Sequence, residues 1–551
     1  MTYDTCLHAA ARIRWATGMG YKQHGAIAAG HPQTAEAGLA ILQAGGNAFD
    51  AAIAAALTAC VTESGLISLA GGGFLLAHTA AGRNTLFDFF TQTPQVKRPV
   101  ADLDFYPVTV NFGDAVQHFH VGLGSVAVPG VLKGLLHIHR TLGRLPLADI
   151  VAPAIAYAQQ GVTVQPFASY CLQILDPILT ATPAGQQIYA PNGQRLQPGD
   201  TLRMPDLAAT LAAVVEMGDR PLYTGDWAKA LIEACTHRGG HLTAADLRAY
   251  QVIERQPLTL TYRGNTLLTN PPPSTGGLLI GFALKVLEAI DLPRIPFGSP
   301  EHLCLLRQVM QLSNAARRDR AASPQENRYD RHLDAQTLLR TFLAPATLQP
   351  YQQALSAGMN SMTNKWGSTT HISVIDAEGN AASLTASNGE GSTFLIPGTG
   401  IMVNNMLGEA DLNPDGFHTW QPNQRLASMM APTIVLKDGQ PELVLGSGGS
   451  NRIRTAILQV ILNILDFQMP LAEAIASPRL HWEDQVLNLE PGLPGAEAIQ
   501  HFAAEAGDRI IPWQAQNMFF GGVHAISQQP DGTLTAVGDR RRDGVGLVWQ
   551  A

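Results

Sequence analysis

Cysteine is scarce in this 551-residue chain: Cys6, Cys60, Cys171, Cys235 and Cys304 are odd in number, widely scattered and without a Cys-x-x-Cys pair. That pattern excludes a disulfide framework and leaves reduced, mostly buried thiols. Positive charge is also short, with 36 Lys and Arg against 44 Asp and Glu. A net charge of -8 supplies no basic patch, so neither nucleic acid nor an anionic membrane is expected as a partner. Long apolar runs are missing too. The best one near the N-terminus, Ala51 to Val61, is about half of the roughly 20 residues a spanning helix needs and reads as a core helix. The first twenty-odd residues, with Arg12, Arg14 and Trp15, lack the basic-then-apolar order of a secretory signal, so cytoplasmic residence is the expectation. No P-loop, G-x-S-x-G elbow or dinucleotide fingerprint appears. The spaced pairs His118 and His120, and His137 and His139, have no H-E-x-x-H context or cysteine partner, so they read as structural or surface histidines. No metal and no other cofactor is expected.

What remains is a chain rich in core and turn residues, with 46% hydrophobic content and 53 glycines, enough for a large layered core. From Thr34 to Val61 an alanine-rich pattern predicts two helices split by Gly45-Gly46-Asn47, the glycines closing the first. Gly71-Gly72-Gly73 then feeds an apolar strand at Phe74 to Ala77 and a second at Leu86 to Phe90. Helices dominate from Gly130 to Thr236, and Thr243 is placed to cap another before Leu247. Strand character between Tyr250 and Leu268 stops at Pro271-Pro272-Pro273, because prolines cannot continue a central strand. Helices at Leu278 to Ile290 and Pro300 to Arg320 follow. A stretch rich in Ser, Asn, Gln and Ala, from about Asn327 to Gly367, is the candidate exposed and cleavable segment.

Beyond it the period changes to two. Thr369-Thr370-His371-Ile372-Ser373-Val374-Ile375-Asp376, the turn Ala377 to Asn380 and Ala381 to Thr385 make a hairpin by alternation and turn chemistry, which would put Thr369 at the start of a sheet edge. Further strands are expected at Ile401 to Asn404, Thr433 to Leu436, Glu442 to Leu445, Val523 to Ser527 and Gly546 to Trp549, with a helix at Arg454 to Leu465. The fold class is α/β and layered. Thr369 matters for its position. A threonine hydroxyl is a weak nucleophile without a base beside it, and a free α-amine, with a reference pKa of about 7.7 to 8.0, is such a base. Cutting the bond after Ser368 would put nucleophile and base on one residue.

These stretches resemble the γ-glutamyltransferase family, in order from about Ala26 to the C-terminus: Leu42-Gln43-Ala44-Gly45-Gly46-Asn47-Ala48-Phe49-Asp50-Ala51-Ala52, Gly71-Gly72-Gly73-Phe74, Val128-Pro129-Gly130, Pro271-Pro272-Pro273-Ser274-Thr275-Gly276-Gly277 and the Thr369 hairpin. The resemblance implies a four-layer α-β-β-α sandwich of the N-terminal nucleophile hydrolase type, made from a self-cleaved precursor. It divides the chain into an N-terminal extension, 1–24, a large subunit region, 25–368, and a small subunit region, 369–551, the two subunits being each other's partners.

By the same resemblance Thr369 is the nucleophile and, once cleaved, carries the base; it attacks a γ-glutamyl amide and passes the acyl group to water or an amine. The backbone of Gly449 and Ser450 would form the oxyanion hole, Ser450 standing where relatives commonly have glycine. Ser387, Glu409 and Ser428 fall at donor-binding positions, and Asn388 neighbours Gly389, which replaces the usual asparagine. Met429 stands in place of a second serine. Phe90 replaces the arginine that clamps the donor α-carboxylate, with Arg425 or Arg452 as candidate substitutes, and the loop from Glu409 to Ser428 is too short for a lid. Three functions follow: a γ-glutamyl hydrolase and transferase acting on glutathione-like donors, a same-fold acylase acting on a glutaryl or cephalosporin-type amide, and an uncleaved binding protein.

Overall fold

Strands that alternate between two apolar environments need cover on both faces. Along Gly72–His78, Leu75 and Ala77 enter one buried cluster and Phe74 and Leu76 the other. The computed structural model describes residues 23–111, 116–322, 342–354 and 368–550. Seven strands form one antiparallel sheet in the order Val545–Gln550, Gln23–Ala29, Thr370–Asp376, Ala381–Ser387, Gly72–His78, Asn84–Phe89 and Ile253–Arg255. Six form a second, in the order Leu534–Val537, Gly522–Gln528, Gln440–Gly448, Thr433–Lys437, Asn265–Thr269 and Leu258–Tyr262. Helices Pro32–Gln43 and Ala48–Thr62 cover the outside of the first sheet, and Gly276–Leu287 and Arg452–Leu465 cover the second, with Pro300–Ala322 packed beyond. This is the four-layer α-β-β-α sandwich that the resemblance implied. No helix among the described residues is long and apolar enough to cross a membrane.

Local chemistry explains the elements that carry the site. Asn47 caps Ala48–Thr62 through a capping box with Asp50, and every residue of that helix is buried, as its lack of a polar face requires. The hairpin turn is built on Asp376, whose Oδ1 accepts from the N–H groups of Glu378 at 2.9 Å and Asn380 at 3.0 Å. Its Oδ2 accepts from Ala48 N at 2.9 Å, tying the hairpin to the helix N-terminus.

Three expectations change. Thr369 does not open an edge: the strand after it is interior, between Gln23–Ala29 and Ala381–Ser387. The pairing partner Gln23–Ala29 lies more than 300 residues upstream, beyond any local pattern. Residues 401–404 form no named strand, because Met402 and Val403 make only isolated bridges. The segment expected to be exposed and cleavable lies mostly outside the described residues, but it contains a helix, Pro345–Ala354.

Burial also sets a pH limit on the fold. Desolvation pulls His31, His302, His481 and His524 down to about 4, against an unfolded value near 6.5. Their neutral form is the one that folds, so the stability they protect is complete above pH 6.5 and is lost as pH falls through 4, by about 3 kcal/mol each at most. Thermal melts from pH 8 to 4 are expected to be flat above about 7 and to drop steeply below 6. A midpoint unchanged at pH 4.5 would contradict this.

Candidate active site

Thr369 is 4% exposed, at the junction between the two sheets. Among the described residues nothing hydrogen-bonds its hydroxyl. Its neighbour is different: the Thr370 hydroxyl donates to Glu63 Oε2 at 2.5 Å, and Thr34 donates to the other oxygen at 3.0 Å. Glu63 is the C-cap of Ala48–Thr62. Burial raises its pKa, and the negative end of the helix dipole acts in the same direction. The second threonine is therefore committed to structure and the first is available for chemistry.

Ser368 and Thr369 are described with the peptide bond between them intact. Three contacts grip consecutive peptide units there. Ser368 N–H donates to Glu390 Oε1 at 3.2 Å, the Ser387 hydroxyl donates to the Ser368 carbonyl, and Arg542 Nη1 donates to the Thr369 carbonyl at 2.8 Å. Ser387 Oγ also accepts from Gly389 N at 2.9 Å, which leaves its one proton to the Ser368 carbonyl. Gly448 must be glycine, since a Cβ there would overlap the Thr369 carbonyl oxygen. Gly449 and Ser450 have φ of 120° and 51°. Their carbonyls accept from Arg452 and Ile453 at 3.1 Å, while among the described residues no partner engages their N–H groups.

The predicted donor-binding residues divide. Gly389 sits at φ 63°, and a Cβ there would run into Asn405 Oδ1 and Glu409 Oε1, so the family's asparagine has no room. Glu409 is buried, and among the described residues its Oε1 has no hydrogen-bond partner. Asn388 is 2% exposed and among the described residues its Oδ1 has no partner, while its N–H is spent on Leu66 O at 3.0 Å. Ser428 turns to the Pro271–Gly277 segment: its carbonyl accepts from Thr275 N and Ser274 Oγ, both at 2.8 Å, and its Oγ accepts from Met430 N at 3.0 Å. Sequence reasoning missed Glu63, Glu390, Asp411 and Arg542. Only Glu390, an acid between two glycines beside Ser387, and Arg542, at the end of Arg540-Arg541-Arg542, carried a local signal.

Glu390, Glu409 and Asp411 form an acidic group. The Ser450 hydroxyl donates to Asp411, linking the Gly449–Ser450 turn to it. Burial pushes Glu390 up to about 8, and burial together with the neighbouring acids holds Glu409 well above the usual carboxylate range. Of the two proposed arginine substitutes, Arg425 is already engaged elsewhere, whereas Arg452 lies near Asp411 and Glu390. The Arg425 side chain is 4% exposed, faces Asp88 at 3.3 Å, and donates to the Phe90 and Gln251 carbonyls at 2.5 and 2.7 Å. Arg452 donates from Nε to Phe519 O at 3.2 Å and stacks on that ring. Phe90 itself is fully buried and stacked on Phe74 at 5.3 Å. Instead of forming a lid, the 409–428 loop packs on the strand exit at 91–98, where Gln424 O accepts from Thr93 N at 2.8 Å and Lys97 lies over Trp420.

The family model for gamma-glutamyltranspeptidase matches residues 34–549. Over 537 residues the chain is 33% identical to an acylase ACY 1 proenzyme of Pseudomonas sp. (strain V22), covering 95% of this chain and 93% of that one. It is 29% identical to the glutathione hydrolase proenzyme of Bacillus subtilis (strain 168), covering 95% and 91%. The crystal structure of cephalosporin acylase from Bacillus halodurans superimposes with a TM-score of 0.82 at 25% identity, over the whole of both chains.

Proposed function

Because this chain belongs to the gamma-glutamyltranspeptidase family, a family of N-terminal nucleophile hydrolases that holds both glutathione hydrolases and acylases, we propose that it is a self-processing threonine amidohydrolase and acyltransferase. In this reading Thr369 Oγ attacks the Ser368 carbonyl, the C–N bond breaks to free the Thr369 amine, and water cleaves the resulting ester, giving subunits 1–368 and 369–551. The free amine then takes the Thr369 hydroxyl proton as that oxygen attacks the donor amide. It returns the proton to the leaving amine, and water or an amine takes the acyl group. The Gly449 and Ser450 N–H groups, unengaged among the described residues and directly following Gly448, whose backbone lies against the Thr369 carbonyl, would stabilise the developing oxyanion.

For the donor, the carrying observation is Phe90. Its ring fills core where a guanidinium would bind a carboxylate, and Arg425 is spent on Asp88 and two carbonyls. Losing a charge-assisted contact costs about 1.5 to 3 kcal/mol, or about tenfold to a hundredfold in binding. The buried Glu409 oxygen, unpartnered among the described residues, suits an ammonium, whose positive charge would favour the ionised carboxylate. The preferred donor is therefore a non-glutamyl amide whose acyl chain carries an amine and no carboxylate. The γ-glutamyl reading stands second, kept by Glu409 at the family's ammonium position.

Three p-nitroanilides separate these. 4-Aminobutanoyl has the ammonium alone, glutaryl the carboxylate alone, and γ-glutamyl both. The expected order of kcat/KM is 4-aminobutanoyl, then γ-glutamyl, then glutaryl, with about tenfold or more between the first two. If γ-glutamyl leads, the second reading replaces the first; if glutaryl leads, the acidic group does not contact the donor and both fail.

A further inference from the structure

Glu390 is 2% exposed, and its Oε2 has no hydrogen-bond partner among the described residues. A carboxyl desolvated in this way costs stability unless something else requires it. What its other oxygen binds is the N–H of Ser368, the residue on the acyl side of the bond to be cut. We infer that Glu390 is a positioning residue for self-cleavage, orienting the scissile carbonyl by holding the peptide unit before it; this rests on the self-processing reading above.

The geometry works through two torsions. Glu390 fixes the direction of the Ser368 N–H and Ser387 that of its C=O, so rotation on both sides of the Ser368 Cα is restrained. Arg542 restrains the next carbonyl along, at Thr369. Thr369 Oγ thus meets a carbonyl whose face is set in advance, the condition under which an intramolecular attack gains most. The Oγ–C bond forms, the C–N bond breaks, and the hydroxyl proton ends on the new amine; water then divides the ester into the Ser368 carboxylate and the Thr369 hydroxyl. Glu390 neither gives nor takes a proton in this scheme. The loop around it is itself anchored. Glu390 N–H donates to Asn405 Oδ1 at 2.9 Å, Gly391 N donates to the same oxygen at 3.2 Å, and Asn405 Nδ2 donates to His120 O at 3.3 Å.

Held neutral near pH 7, this carboxyl is matched in shape and charge by glutamine, whose amide oxygen accepts the same N–H. Conversion of the precursor into its two fragments would be followed by intact mass after a pulse of cell-free synthesis, for wild type, Glu390→Gln, Glu390→Ala and Glu390→Asp. Gln should cleave within about threefold of wild type, and Ala about tenfold to a hundredfold more slowly. Asp, which keeps an acid but withdraws the oxygen by one methylene, should also be slow, so the comparison survives if Ala fails to fold. Wild-type rates in Ala or Asp, or Gln as slow as Ala, would overturn the inference while leaving self-processing intact. A wild-type chain that never divides removes the self-processing reading and this inference with it.

Discussion

Thr369→Ala is expected to remain a single chain of 58.8 kDa under conditions where the wild type divides at Ser368–Thr369, and to turn over no amide donor. Removing a covalent nucleophile costs on the order of 10⁴-fold or more in kcat, and in the proposed reading the same hydroxyl serves both the cleavage and the later acyl transfer. Thr370→Ala supplies the contrast. That hydroxyl is held by Glu63 at 2.5 Å, so its loss should lower stability by about 1 to 3 kcal/mol, through an unsatisfied buried carboxyl, and still permit cleavage. Thr369→Ser retains a hydroxyl at the same atom and should divide, more slowly. Intact mass and N-terminal sequencing of the three variants decide the matter. Cleavage in Thr369→Ala, or a new N-terminus at Thr370, would end the assignment of Thr369.

The contrast between the two threonines was half visible in the sequence. Alternation from His371 to Asp376 and the Ala377–Asn380 turn identified the hairpin, since a period of two and turn chemistry are local properties. The buried helix Ala48–Thr62 was equally legible from its composition and its Asn47 cap. Glu63 was not, because its role depends on a contact 307 residues away in the chain, with Thr370. The interior position of the Thr370–Asp376 strand was hidden for the same reason, its outer neighbour being Gln23–Ala29. At the site, Ser387 and Glu409 were named from the family resemblance; the structure puts the Ser387 hydroxyl on the Ser368 carbonyl and Glu409 beside Gly389. Arg425 as a replacement clamp was a reasonable use of charge alone. Only its burial against Asp88 and the Phe90 carbonyl reveals that the guanidinium is already occupied.

Arg541→Ala should cost about 3 to 5 kcal/mol, the price of leaving buried acids without their cation. Arg541 binds Glu490 through Nε at 2.7 Å and Nη2 at 2.5 Å, and reaches Asp539 through Nη1 at 3.2 Å; its side chain is 1% exposed. Arg479 completes the group, donating to Asp539 Oδ2 at 2.7 Å and to the Phe520 carbonyl at 3.1 Å. Burial opposes ionisation of Asp539, but the two arginines outweigh it and hold its pKa down to about 2. With a folded pKa below the unfolded one, its contribution is complete above about pH 4 and disappears as pH falls through 2. Removing Arg541 takes away one of those arginines, leaving Asp539 with Arg479 and Glu490 without its guanidinium. Lysine is a partial substitute because it cannot form the two-pronged contact, so Arg541→Lys should fall between wild type and Ala. The effect should also reach the reaction centre. Asp539 Oδ2 accepts from Val523 N at 3.0 Å, in the strand paired with Gln440–Gly448, and the adjacent Arg542 holds the Thr369 carbonyl. Chemical denaturation in the Thr369→Ala background, where one covalent chain avoids subunit dissociation, measures the stability loss; the time course of fragment appearance in the Thr369 background measures the effect on cleavage. An Arg541→Ala midpoint indistinguishable from the parent would show that the acids protonate or hydrate at little cost, and that this buried network does not support the Arg542 grip on Thr369.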